Sequence, residues 1–167
     1  MATTLVVDGY NAINALPETR KYLMKGELEL ARKQIVAICK EYVRASGYIK
    51  DVCVVFDGDD KYRDMEDMNV PPGGAEQVFS KTGDGDDQII RTVKRYSSFS
   101  RVIVASNDNY VRNMSRGYGA SLLDVKELIS RTPTKTVPKK EKGKNISRKL
   151  QNSITEEYMK HLGLEDE

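Results

Sequence analysis

The sequence predicts a three-layer α/β/α domain with a mostly parallel central sheet, on three observations. Leu5-Val6-Val7, Val52-Cys53-Val54-Val55-Phe56 and Val102-Ile103-Val104-Ala105 are apolar throughout and rich in Val and Ile, as strands buried on both faces are. Helical periodicity lies between them, so strand, helix and strand run in one direction as right-handed crossovers. Each run then leads into Asp: Asp8 with Gly9, Tyr10 and Asn11 behind it, Asp57 with Gly58, and Asp108 after Ser106 and Asn107. In a parallel sheet these ends share one edge, outside the carboxyl ends of the strands, where ligands gather. One such Asp is ordinarily a helix N-cap or a turn former. Three at one edge point to a site.

Taken in order, the first strand leads into a stretch over 14–26 expected to be irregular, with Pro17 and Gly26 punctuating it. Residues 27–46 predict an amphipathic crossover helix, because Leu28, Ala31, Ile35, Ile38, Cys39 and Tyr42 recur at steps of three and four before Gly47. No hydrophobic period runs through 57–74, which closes on Pro71-Pro72-Gly73-Gly74, so a loop beside the site is expected there. Residues 75–80 predict a modest strand around Val78 and Phe79. Asp84, Asp86 and Asp87 then precede a helix whose spacing is set by Ile89, Ile90, Val93 and Tyr96. A helix dipole favours acids at that end, but capping needs only one, and the surplus can face the strand tips. Residues 109–116 predict a short helix ended by Gly117, 120–123 a brief strand, and 124–130 a helix burying Val125, Leu128 and Ile129. Beyond Thr132, Pro133, Pro138 and a lysine run break the period. Ser153 with Glu156 then opens a short amphipathic helix through Leu162. The expected organisation is one domain over 1–131 and a basic tail over 132–167.

With 167 residues, 39% hydrophobic and 31% charged, the chain suits one hydrophobic core. No apolar run approaches the roughly 18 residues of a membrane helix, and the first strand begins too early for a signal peptide. A cytoplasmic protein is therefore expected, or a plastid stromal one relieved of a transit peptide. Cys39 and Cys53 have neither zinc nor disulfide spacing and read as core thiols. The chain lacks a Gly-x-Ser-x-Gly elbow, a Walker loop and a paired-cysteine motif, which excludes acyl transfer, P-loop hydrolysis and thiol redox chemistry. His161, the single histidine, falls in the tail and is given no catalytic role.

Charge is unevenly distributed along the chain. Between Arg131 and Lys149, eight basic residues face Glu141 alone, so this stretch carries +7 of a net +2 and the remainder −5. An acidic body with a basic strap suits a protein acting on a polyanion; a solvated linker would carry the same charge. Carboxylates that converge without imidazole or thiolate favour the hard cations Mg2+ or Mn2+ over zinc or copper. Such ions activate water and neutralise the leaving oxygen in phosphodiester hydrolysis.

Val7-Asp8-Gly9-Tyr10-Asn11, Val55-Phe56-Asp57, Val78-Phe79-Ser80-Lys81 before the acidic helix start, and Val104-Ala105-Ser106-Asn107-Asp108 resemble the NYN domain. This is a branch of the PIN-like metal-dependent ribonucleases, and the order and spacing are most similar to the YacP-type branch. The resemblance spans most of the chain, including the basic tail and the short helix after it. It implies catalytic roles for Asp8, Asn11, Asp57 and Asp108, and for an acid at the helix start. The family usually writes Thr-Ala-Asp there; this chain has Gly85-Asp86-Asp87, so register puts the family acid on Asp87 and makes Asp86 an extra carboxylate. The expected metal ligands are Asp8, Asp87 and Asp108, with Asp86 beside them and Asp57 and Asn11 in support.

The resemblance further implies an endoribonuclease acting on single-stranded messenger RNA in association with ribosomes. Lys61, Arg63, Lys81, Arg112, Arg116, Lys139, Lys140, Lys142 and Lys144 are the candidates for RNA backbone contacts. The competing expectation is a non-catalytic RNA or ribosome adaptor that keeps the fold and docks through its tail. A haloacid-dehalogenase-like phosphatase, which also ends its first strand in Asp, needs a second Asp two residues on, where this chain has Tyr10.

Overall fold

The computed structural model describes residues 1–56, the backbone of 75–79, and residues 85–130. Five strands form one sheet in the order β3-β2-β1-β4-β5: β1 over Thr3–Asp8, β2 over Asp51–Phe56, β3 over Ala75–Phe79, β4 over Arg101–Ala105 and β5 over Ser121–Leu123. Every pairing is parallel. β1 lies in the middle, with Asp8 level with Val55 on one side and Val7 level with Ala105 on the other. The sheet is built outward from β1 in both directions. The junction between β1 and β4 is thus the point where the winding reverses, the place where a doubly wound sheet opens a crevice.

Alternation along the central strands explains the two helical layers. Leu5, Val7, Val52, Val54, Phe56, Ile103 and Ala105 face one side, packing against Ala12 and Ile13 of α1 (Gly9–Ala15) and Ala31, Ile35 and Cys39 of α3 (Leu28–Ser46). Val6, Cys53, Val55, Val102 and Val104 face the other, against Ile89 and Val93 of α4 (Gly85–Ser97) and Val111 of α5 (Asn109–Gly117). Burying a Val, Leu or Ile completely stabilises by roughly 1.5–3 kcal/mol, and both faces of each central strand contribute. The predicted three-layer α/β/α class is what the chain forms.

Residues 14–26 depart from the expectation of an irregular stretch. α1 begins directly at Gly9, and α2 follows over Pro17–Met24. Pro17 opens that helix at its first turn instead of breaking it; a missing N–H costs nothing where no intrahelical partner exists. Gly26 and Gly47, at φ 75° and 72°, turn the chain after α2 and α3. The last described element, Val125–Ile129, is a 3-10 turn rather than an α-helix. Cys39 and Cys53 are buried free thiols, and burial pushes Cys39 up to about 12. No helix among the described residues is long and apolar enough to cross a membrane.

Candidate active site

Two strand-tip acids meet across the β1–β4 junction. Asp8 ends β1 and caps α1, its Oδ1 accepting from the Asn11 amide at 3.4 Å. Asp108 follows β4 and caps α5, its Oδ1 accepting from the Val111 amide at 3.0 Å. The bland reading of each residue as a cap is therefore correct, and it leaves capacity over. A carboxylate oxygen accepts two hydrogen bonds, and each of these caps uses one.

What joins the two acids is Ser106, a residue that sequence reasoning left out of the site. Its side chain is fully buried. Its hydroxyl donates to Asp8 Oδ2 at 3.0 Å and accepts from the Asp108 amide at 3.1 Å. One hydroxyl thus fixes the orientation of the first carboxylate and the backbone that carries the second. Asn11 adds a parallel tie, its Oδ1 accepting from the Asn107 amide at 2.9 Å. Because that amide can only donate, the Asn11 oxygen must face it, and the Asn11 NH2 is directed elsewhere. Asn107 in turn accepts from the Val125 amide at 3.3 Å, linking the crevice to the chain after β5.

Electrostatics at this edge are strained. Burial raises Asp8 from its ordinary 3.8 to about 6, against the lowering effect of its hydrogen bonds to Ser106 and Asn11, and the charges of Asp86 and Asp108 add to the rise. The charge of Asp86, in the first turn of α4, thus reaches Asp8. Successive helical residues point about 100° apart, so Asp86 and Asp87 diverge, and the charge acting on Asp8 is that of Asp86. The register of the resemblance had favoured Asp87, which lies half-buried in the same first turn.

Among the described residues, no three His, Cys, Asp or Glu side chains are close enough to hold a metal ion by themselves. The donors do fit a hard divalent ion in kind. They are carboxylate oxygens with lone pairs remaining, one of them buried deeply enough to resist ionisation, and both thiols lie in the core.

Gly9 shows how tightly β1 and β2 close beside the acids. A Cβ there would stand 2.4 Å from Phe56 Cδ1 and 2.7 Å from the Val55 carbonyl oxygen. Tyr10 lies over the same side, its ring 5.4 Å from that of Phe56 and edge-on at 62°. The four residues 8–11 therefore split in function. Asp8 and Asn11 reach toward β4, while Gly9 and Tyr10 close onto β2.

Of the remaining predicted residues, Arg112 donates from Nη1 to the Ser106 carbonyl at 2.8 Å and the Leu123 carbonyl at 3.5 Å. It braces the ends of β4 and β5. Arg116 is one turn further along, its Nη1 3.3 Å from Asn113 Oδ1. Asp57, Lys61, Arg63, Lys81, Lys139, Lys140, Lys142 and Lys144 lie outside the described residues, as does the tail over 132–167.

A five-stranded parallel α/β/α sheet with acids at its carboxyl edge agrees with the NYN class, a nuclease-type fold. The chain matches the YacP-like NYN domain over residues 5–166 and belongs to that family. Two crystal structures agree in fold. A point mutant of Rae1 (YacP) from Bacillus subtilis is 28% identical, with a TM-score of 0.59 over 77% of this chain and 72% of that one. A second structure of Rae1 (YacP) from Bacillus subtilis is 22% identical, with a TM-score of 0.58 over 96% of this chain and 87% of that one. Among curated proteins none matches.

Proposed function

We propose that this protein is a Mg2+- or Mn2+-dependent endoribonuclease that hydrolyses phosphodiester bonds in single-stranded RNA. Messenger RNA on the ribosome in the cytoplasm is its setting. The observation that carries this reading is a buried Asp8, tied through the Ser106 hydroxyl to the Asp108 backbone, whose pKa rises to about 6 chiefly by burial and further through the charges of Asp86 and Asp108. Capping explains one carboxylate per helix, but it does not call for like charges from three elements at one sheet edge. Perturbed acids in a crevice are the ordinary mark of a working site.

Asp8, Asp108 and one or both of Asp86 and Asp87 would hold the ion, which when bound supplies Lewis-acid charge on the phosphate and a more acidic water. The chain's own residues do the rest. Ser106 fixes the orientation of the Asp8 carboxylate through its bond to Oδ2. The Asn11 side chain, its oxygen fixed by Asn107, offers its NH2 to a phosphate oxygen.

Cleavage of a labelled single-stranded RNA with Mn2+, Mg2+ or excess EDTA tests the proposal, comparing the unaltered chain with Asp8→Asn. Metal-dependent cutting that Asp8→Asn lacks is expected. Equal RNA binding by both proteins with no cutting by either would establish the adaptor instead.

A further inference from the structure

Beside the acids, on the β2 side, lies an arrangement that metal chemistry does not use. Arg32, on α3, is 4% exposed. Its Nε and Nη2 both donate to Tyr10 Oη, at 3.1 and 2.6 Å. Its guanidinium carbon stands 5.7 Å from the centroid of the Tyr10 ring and 5.9 Å from that of Phe56. Tyr10 is half-buried and Phe56 fully buried. A position that only filled space would need neither a buried guanidinium nor a phenol, since burying a charged group is costly.

The geometry fixes what Tyr10 can still do. A phenolic oxygen has two lone pairs and one proton, and two N–H groups of Arg32 occupy the acceptor side. The O–H donates to no described residue. Charge-assisted bonds on the oxygen also polarise the O–H and strengthen it as a donor. The result is a rigid donor on a half-buried side chain two residues from Asp8, held through its ring by Phe56 and through its oxygen by Arg32.

We infer that Tyr10 Oη donates a hydrogen bond to a backbone phosphate oxygen of the bound RNA strand, with Arg32 as the positioning residue behind it. The inference rests on the nuclease reading for the identity of the strand. It adds that the strand crosses the tip of β1 toward β2, and that Arg32 acts through Tyr10 without touching RNA.

Anisotropy of a labelled single-stranded RNA with the full chain, in EDTA so that nothing is cut, tests it over a salt series. Tyr10→Phe keeps the ring and removes the hydroxyl, and should weaken binding about tenfold, the worth of one hydrogen bond to a charged oxygen. The slope of log Kd against log salt should not change, because no charge is lost. Arg32→Gln should weaken binding less than Tyr10→Phe and also leave the slope unchanged. In metal, Tyr10→Phe should raise KM while kcat stays near its starting value. Circular dichroism sets a temperature at which each variant is folded.

An unchanged Kd for folded Tyr10→Phe overturns the inference, as does a chain that binds no RNA. A slope reduced by about one in Arg32→Gln overturns it too, since Arg32 would then contact phosphate directly. A chain that binds RNA but never cuts it removes the nuclease reading alone.

Discussion

Replacing Asp8 by Asn should make the metal-free protein more stable while abolishing cleavage. Burial and the neighbouring acids raise the Asp8 pKa from 3.8 to about 6. That shift of roughly two units, at about 1.4 kcal/mol each, sets the cost of keeping the carboxylate ionised near 3 kcal/mol at neutral pH. Asn removes the charge but presents an NH2 where one carboxylate oxygen stood, so one of the contacts to Ser106 and the Asn11 amide is weakened, costing about 1 kcal/mol. A net gain of about 1–2 kcal/mol remains, which for a chain of this size is roughly 2–8 °C in Tm.

The sign fixes the pH window. A raised folded-state pKa means that the folded protein prefers the protonated acid. The stability this confers is whole below 3.8 and is lost as pH rises through about 6. Thermal melts followed by circular dichroism in EDTA at pH 7.5, 6 and 4.5 should therefore show the advantage of Asp8→Asn large at the first and nearly gone at the last. Adding Mn2+ at pH 7.5 should raise the Tm of the unaltered chain and not that of Asp8→Asn. An Asn variant that melts no higher at pH 7.5, or whose gain is the same at pH 4.5, would refute the account of Asp8 as a strained carboxylate.

Further outcomes follow from the same geometry. Gly9→Ala forces a Cβ to 2.4 Å from Phe56 and 2.7 Å from the Val55 carbonyl. It should cost about 1–3 kcal/mol, and Phe56→Leu should restore only part because the carbonyl remains; a Tm within 1 °C of the starting chain would contradict this. Ser106→Ala should lower kcat by at least about tenfold, as one positioning hydrogen bond is lost, with Ser106→Thr retaining most of the rate; equal rates for all three would leave Ser106 without a role. Between Asp86→Asn and Asp87→Asn, cleavage assays over a Mn2+ titration should show the larger loss of metal affinity for Asp86→Asn, and the reverse order would restore the register implied by the family. Changing Lys139, Lys140, Lys142 and Lys144 to Gln should reduce the salt slope of RNA binding by up to roughly 3 if each meets a phosphate, whereas an unaltered slope would show a tail that stays in solvent.

The sheet and its acidic edge were legible because their signals are local. Val and Ile runs report burial on both faces, and an Asp at the end of a run reports its own position. The helices of residues 9–24 were not, because Pro17 carries the same letter whether it breaks a helix or begins one, and only the chain before it decides. Ser106 looked like turn material; that its hydroxyl spans two acids depends on β4 lying beside β1, which pairing sets. Arg32 was hidden differently. Helical spacing identifies Ala31, Ile35 and Cys39 as inward, but a charged residue beside them reads as solvent-facing until Tyr10, 22 positions earlier, is placed against it. The choice between Asp86 and Asp87 turns on about 100° of helix rotation, finer than periodicity alone resolves.

The central place of β1 has a consequence for how the molecule breathes. Asp8 and its Ser106 tether sit where the most strongly interlocked strands meet, whereas β5 is only three residues long and lies at the margin. Fluctuations that peel away the margins leave the acidic crevice assembled, and only cooperative opening of the whole sheet dismantles it. Amide protons of Leu5, Val6 and Val7 should then be among the slowest to exchange with deuterium, and preparations that have begun to fray at β5 should keep the Asp8–Ser106 contact intact.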